Sequence, residues 1–442
     1  MSPAELDFEP GLRDPEALER RQLERLNVVL ARARETGFYG DRHRDLPEHL
    51  ESLSQLAAFP TTTKADVLAD IAAHPPFGSR LRVPRESLRQ VVTTSGTSGA
   101  GEEAYPLDAE DEDVVYAMAA RGFGWAGVTS ASVVLNTLPL TTAAAGQWYY
   151  HALRRLGATV LEVGTFPTER KLEYLRRFEA DTLVGTPSYM LRLALDARTA
   201  GIDPSATAIQ RIVVAGESWS EEWMQRLEDE WGARVFEQYG STQRAMAWTC
   251  PGGALADGRR GVLHALSDYG IYEVIDPATG DAVREGPGEL VITPFASSAS
   301  PLIRFATGDR MVVLPDCPCG RPGPLFAAGS VDRYDFMVKV RGVNLWPEAL
   351  DRAVFGVTSV RDYEAHVETD ASGRELLHVE IELEGEGEDG VSARVAAEVK
   401  RITGLAATVR SLPGNAVTQG IEDRFRKRRR LFDRRESGRP CD

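Results

Sequence analysis

The chain is short of several things. No apolar run approaches the roughly 18–20 residues that span a bilayer. The N-terminal stretch, MSPAELDFEPGLRDPEALERR, is acidic and polar, so it does not read as a secretory signal. Cysteine is scarce, with four in 442 residues: Cys250, Cys317, Cys319 and Cys441. That excludes a disulfide scaffold and points to a cytoplasmic protein with reduced thiols. Basic charge is in deficit. A net charge of -15 argues against a broad nucleic-acid footprint, which needs a basic face. One basic cluster does occur, RFRKRRRLFDRR near the end, but such a cluster is more often a solvated helix face. There is no Walker G-x-x-x-x-G-K-[ST] loop, no internal repeat and no low-complexity tract. What is left is an ordinary globular composition, 43% hydrophobic and 26% charged, with a length that suggests two or three domains.

Residues 15–35 carry Leu18, Leu23, Leu26, Val29 and Leu30 at helical spacing. From 131 to 239, short β-rich runs alternate with amphipathic ones: SVVLNTLP, AAGQWYYHALRRLG, ATVLEV, TERKLEYLRRFE, DTLVGT, PSYMLRLALDARTAG, IQRIVVAG, SWSEEWMQRLEDEWG and RVFEQYG. Such alternation implies an α/β fold with a parallel sheet flanked by helices. Ser218 and Glu221 have capping-box spacing at the start of the last helix. Ligands on such sheets gather at the carboxyl ends of the strands, where GTPSY, AGES and YGSTQ fall. After about 260, short runs separated by Asp276-Pro277, Thr279-Gly280 and Pro287-Gly288 read as antiparallel strands. From about 342 a smaller α+β unit follows, with ELLHVEIELEG as strand, VSARVAAEVKRITG as helix and LAATVRSLP as strand.

The stretch VVTTSGTSGAGEEAY packs hydroxyls around glycines. Glycines let backbone N–H groups converge on an oxyanion, and hydroxyls add donors. Taken alone, it reads slightly better as a flexible surface turn than as a phosphate site. It is followed, in order, by TPSY at 186–189, AGES at 215–218, YGSTQ at 239–243, FATGD at 305–309 and DRYDFMVKVRGVNLWP at 332–347. This ordered set resembles the adenylate-forming superfamily of acyl-CoA synthetases, adenylation domains and luciferases, and more closely the phenylacetate–CoA ligase family. The resemblance runs from about 20 to 435. It implies a large AMP-binding adenylation domain, residues 1–335, with a β-rich, zinc-containing part at about 250–330. It further implies a small mobile α+β domain, 336–442. The implied chemistry is attack of a carboxylate on the α-phosphate of ATP, giving an acyl-adenylate, then displacement of AMP by a thiol, usually that of coenzyme A. Magnesium is the implied ion, and relatives are often homodimers.

By this resemblance Thr94, Ser95, Gly96, Thr97, Ser98 and Gly99 cradle the phosphates. Gly216 and Glu217 lie beside adenine, with Tyr239 stacked near it in the motif Tyr239, Gly240, Ser241, Thr242, Gln243. Asp309 accepts from the ribose hydroxyls, Arg333 steadies ribose and phosphate, and Asp335 matches the hinge. The family's catalytic lysine falls, by its spacing from Asp433-Arg434-Arg435, on Lys427, with Arg426 where a glycine is usual; a solvated basic helix fits those residues as well. Trp148, Tyr149 and Tyr189 lie where relatives line the acyl site and suit an aromatic ring, though they fit a helix core equally.

Cys317 and Cys319 in CPCG, with Cys250 in TCPGG and His264 in GVLH, offer three thiolates and an imidazole, the ligand set of a closed structural zinc. Three buried thiols and a core histidine are the alternative. Some phenylacetate–CoA ligase relatives carry this arrangement at the same points.

Three departures from the family stand out. Its phosphate loop continues with Lys and Pro, and here with Ala100-Gly101-Glu102-Glu103, whose carboxylates repel a triphosphate unless they point away or bind a cation. Its Glu, a magnesium ligand, is Gln243, although Mg²⁺ favours carboxylates. Phe336 replaces a second acidic residue at the hinge. Three functions therefore compete: an aryl- or acyl-CoA ligase; an adenylate-forming enzyme whose acceptor is a carrier-protein thiol or an amine, or whose anion is nitrite, as in diazotases acting on aromatic amines; and a nucleotide-binding relative without catalysis.

Overall fold

Helix starts follow the local chemistry. In α1 (Pro15–Arg34) proline occupies the first turn, behind Asp14, whose side chain accepts from the Glu16 N–H. Thr63 and Asp66 form a reciprocal capping box on α2 (Lys64–Ala73), and Asp108 caps α3 (Ala109–Trp125). After α4 (Ala144–Arg155) and α5 (Thr168–Arg177), Thr186 caps α6 (Pro187–Thr199) ahead of Pro187. The Ser218–Glu221 capping box expected for the next helix is not where its cap lies. That helix, α7, spans Glu221–Trp231, and the buried Ser220 Oγ accepts from the Trp223 N–H at 3.2 Å. Ser220 immediately precedes the first helical residue, whereas Ser218 is too far upstream to cap it.

The computed structural model describes residues 14–94, 101–256, 258–357, 359–370, 373–383, 390–413, 417 and 430–435. It divides into two compact units, Met1–Gly216 with Leu227–Val331, and Glu217–Arg226 with Asp332–Asp442.

In the first unit, β1 (Gln90–Thr93) and β2 (Ala104–Leu107) form an antiparallel hairpin of their own. The main sheet begins with β3 (Val133–Asn136), β4 (Thr159–Glu162), β5 (Thr182–Gly185), β6 (Arg211–Ala215) and β7 (Arg234–Ser241), all paired in parallel. Next, β8 (Ala245–Thr249) turns back antiparallel on β7, and β9 (Val262–Ala265) pairs antiparallel with β8. The strands β10 (Gly270–Ile275), β11 (Gly286–Pro294), β12 (Phe305–Leu314) and β13 (Leu325–Ala327) complete it. Their order is β10-β11-β12-β13-β9-β8-β7-β6-β5-β3-β4. The antiparallel strands after 260 are thus present, and they extend the parallel sheet rather than forming a separate one. Both β5 and β8 are buried along their whole length, as strands covered on both faces must be.

In the second unit, the hairpin β14 (Val338–Val340) and β15 (Val343–Leu345) leads to α8 (Pro347–Phe355). A four-stranded sheet follows, built from β16 (Val360–Thr369), β17 (Glu375–Leu383), β18 (Ala407–Leu412) and β19 (Leu431–Asp433) in the order β18-β17-β16-β19. Helix α9 (Val391–Thr403) lies between β17 and β18 in sequence and buries Val391, Val395 and Val399. The strand, helix and strand read from the sequence are β17, α9 and β18; α8, β16 and β19 are additional. Arg430 is buried here, 3.2 Å from Asp362 and 3.8 Å from Asp351. Despite burial, those two carboxylates hold its guanidinium above its ordinary pKa.

Candidate active site and metal centre

The hydroxyl-rich loop connects β1 to β2. Its two ends are tied together: the Thr94 N–H donates to the Glu103 carbonyl at 3.1 Å, and the Glu103 N–H donates to Thr94 Oγ1 at 3.0 Å. Ser95, Gly96, Thr97, Ser98 and Gly99 lie outside the described residues. Tyr239 and Asp309, 70 residues apart in sequence, meet in the sheet, where Tyr239 Oη donates to Asp309 Oδ2 at 2.6 Å. Both are buried, so the carboxylate is held in one orientation. Gly240 and Ser241 end β7, and Thr242 and Gln243 form the turn into β8. That turn is anchored by Arg244, which is fully buried at φ 68°. Arg244 donates to the Ser300 carbonyl at 2.7 Å and lies 3.7 Å from Asp111.

Glu103 is buried at 2% exposure. It accepts from Tyr105 Oη at 2.7 Å and from Gln243 Nε2 at 3.4 Å, and lies 3.5 Å from Lys64 Nζ. Burial and the Glu103 charge push the Tyr105 phenol well above its ordinary pKa, which keeps it a donor. Gln243 Nε2 also donates to Tyr105 Oη at 3.0 Å. The carboxylate that raised the question of repulsion is therefore neutralised by Lys64 and joined to Gln243. Glu102 is exposed.

At the carboxyl ends of the strands, Gly185 permits a close approach. A Cβ there would lie 2.5 Å from both Met190 Cε and Thr137 Oγ1. Trp148 and Tyr149 are each 2% exposed. Trp148 Nε1 donates to Gln90 Oε1 at 3.0 Å, and Tyr149 Oη donates to Gln238. Their rings are helix core facing Phe123 and Trp248 in the case of Tyr149. Tyr189 is partly buried and accepts from Lys171 Nζ at 2.9 Å. Lys171 is itself buried, and its ammonium lies 4.7 Å from the Tyr189 ring centroid. Sequence reasoning missed it, and missed Glu162 at the end of β4. Both Glu162 oxygens are 3.1 Å from Asn136 Nδ2, and burial pushes the carboxyl up to about 7. A lysine on a charged helix and a glutamate closing a strand carry no motif, so only the folded environment marks them.

Gly216, at φ 90°, ends the first segment of unit one, while Glu217 belongs to the second unit. In that unit Arg333 Nε and Nη2 lie 2.8 and 3.2 Å from the Asp335 carboxylate oxygens. The residues expected at the ribose and at the hinge are thus a bidentate ion pair. Asp332, just before them, is pushed up to about 7 by burial. Lys427 lies outside the described residues.

Cys250, His264, Cys317 and Cys319 come together, with one ligand atom from each within 4.8 Å of all the others. Strand pairing explains half of this. His264 on β9 is opposite Trp248 on β8, and the Cys250 N–H donates to the Val262 carbonyl at 3.4 Å, so Cys250 and His264 are diagonal neighbours. The segment between β12 and β13 brings the other half, because Leu325 on β13 is opposite His264. Gly320, at φ 67°, closes the CPCG turn, its N–H donating to the Cys317 carbonyl at 3.1 Å. Cys319 Sγ is 3.4 Å from both Cys317 Sγ and His264 Nε2. The cysteines are free thiols. A Cys₃His set gathered this closely fits a tetrahedral zinc ion.

No family model matches the chain. It is 28% identical over 425 residues to a phenylacetate-coenzyme A ligase of Pseudomonas putida, covering 91% of this chain and 93% of that protein. It is 28% identical over 453 residues to the protein of the same name in Aromatoleum evansii, covering 98% of each. Among solved structures, a 2-hydroxyisobutyryl-CoA ligase in the postadenylation state, in complex with R3-HIB-AMP, matches with a TM-score of 0.84 at 23% identity. That match covers 98% of this chain and 92% of the other, and shows a shared fold.

Proposed function

We propose that this chain, phenylacetate–CoA ligase-like over nine-tenths of its length, is an ATP-dependent adenylate-forming ligase. It joins a small aromatic carboxylic acid to AMP, releases pyrophosphate and passes the acyl group to the thiol of coenzyme A. The observation that carries this reading is the Tyr239–Asp309 hydrogen bond. It fixes a buried carboxylate beside an aromatic ring, as recognition of a ribose and an adenine requires.

Each step asks for a particular group. The acid and the triphosphate repel, so donors must be fixed in place where charge builds. By the family resemblance, the backbone and hydroxyls of Thr94 to Gly99 supply them, and Arg333 and Lys427 are the residues that add positive charge. Mg²⁺ offsets the triphosphate charge when bound. Gln243, in the place of the family's glutamate, offers that ion an amide oxygen, a weaker ligand than a carboxylate, while Glu103 is taken up by Lys64 and Tyr105. Tyr189, resting on Lys171, faces the aromatic acid. Asp335 is the hinge of the second unit. Zinc, held by Cys250, His264, Cys317 and Cys319, has no open position and is structural.

The test is pyrophosphate release from Mg-ATP across a panel of aromatic and short aliphatic acids, with coenzyme A consumption followed in parallel. We expect both with at least one aromatic acid. Pyrophosphate release without coenzyme A consumption redirects the reading to a carrier-protein thiol, an amine, or nitrite with an aromatic amine. No AMP under any combination removes the enzyme reading.

A further inference from the structure

The sheet of the second unit carries a cluster that the adenylation chemistry does not use. On β16 and β17, His366 is directly opposite His378, and Glu368 is opposite Leu376. Because side chains alternate along a strand, His366, Glu368 and His378 share one face. The two imidazoles stack with centroids 5.0 Å apart and planes inclined by 14°. The His378 Nε2 is 3.0 Å from Glu368 Oε1. One ligand atom from each of the three lies within 4.8 Å of the other two.

A second observation points to a ligand. His366 is only 8% exposed, and its Nδ1 is buried without a hydrogen-bond partner. An imidazole nitrogen in that position carries an uncompensated desolvation penalty.

We propose that His366, His378 and Glu368 form a second metal site, distinct from the cysteine cluster, that takes one divalent ion of the zinc class. Two imidazole nitrogens and one carboxylate oxygen suit Zn²⁺ or Co²⁺ and not Mg²⁺ or Ca²⁺, which prefer oxygen alone. Zinc–nitrogen bonds of about 2.0–2.1 Å bring the two ring nitrogens to within about 3.3 Å of each other. Rotating the rings closes that gap without moving the strands, because directly opposite Cβ atoms are already about 4.5–5.5 Å apart. Three protein ligands leave a fourth position for water. The bound ion clamps β16 to β17.

Cobalt titration into the full-length, metal-stripped, reduced chain tests this, because Co²⁺ reports its ligands. An ion on the cysteines gives a thiolate charge-transfer band in the near ultraviolet, and an ion on His366, His378 and Glu368 gives visible d–d absorption without it. We expect H378Q and E368Q, both altered at partly exposed side chains, to weaken the thiolate-free ion by roughly tenfold or more. Both should leave the thiolate band unchanged. A C317S/C319S variant should lose that band and keep the other ion. The proposal is overturned if C317S/C319S binds no cobalt while circular dichroism shows it folded. It is equally overturned if H378Q and E368Q titrate like the unaltered chain.

Discussion

Glu162 shows how one side chain at a strand end records its surroundings. Its two oxygens face the Asn136 amide nitrogen, and burial lifts its carboxyl from 4.5 to about 7. Between those values the folded chain holds a proton that the unfolded chain releases, so stability falls as pH rises through that window. Replacing Glu162 with Gln should flatten this slope between about pH 4.5 and 7; urea midpoints across that range measure it, and an unaltered slope rules the assignment out. At this scale the sequence was only partly legible. Tyr239 and Asp309 were readable because their motifs are ordered along the chain, and the fold brings them to 2.6 Å. Lys171 and Glu162 were not, because burial and partner are tertiary properties. The helix cap was misplaced by two residues, from Ser220 to Ser218, because both serines precede an acidic helix start and only backbone position separates them.

Elements were more legible than contacts. Each β–α pair between 131 and 239 was readable from the switch between apolar runs and helical spacing. The continuation of the sheet through β8 and β9 was not, since a strand's partner is not written in its own residues. Packing between α3 and β8 is equally silent. Gly122 on α3 lies against Trp248 on β8, and an added Cβ would sit 2.0 Å from the indole ring. Gly122→Ala therefore cannot be accommodated without displacing a fully buried tryptophan. We expect a loss of about 1–3 kcal/mol, read from denaturant unfolding monitored by tryptophan fluorescence. A neutral result would mean that the helix and strand separate freely.

For the whole molecule, the cysteine cluster matters because it ties β8, β9 and the segment before β13 together. In an H378Q background, stripping metal with a strong chelator under reducing conditions should lower the thermal midpoint by about 5 °C or more. Calorimetry measures this, and metal analysis finding no zinc in the untreated protein together with an unchanged midpoint refutes it. Glu103 and Gln243, separated by 140 positions, have a different kind of significance, which concerns substitution. The amide at 243 leaves one carboxylate in a buried place shared with Tyr105. A glutamate at 243 would set two anions side by side there. A replacement that is nearly isosteric on paper is therefore, in the folded chain, a change at two positions at once.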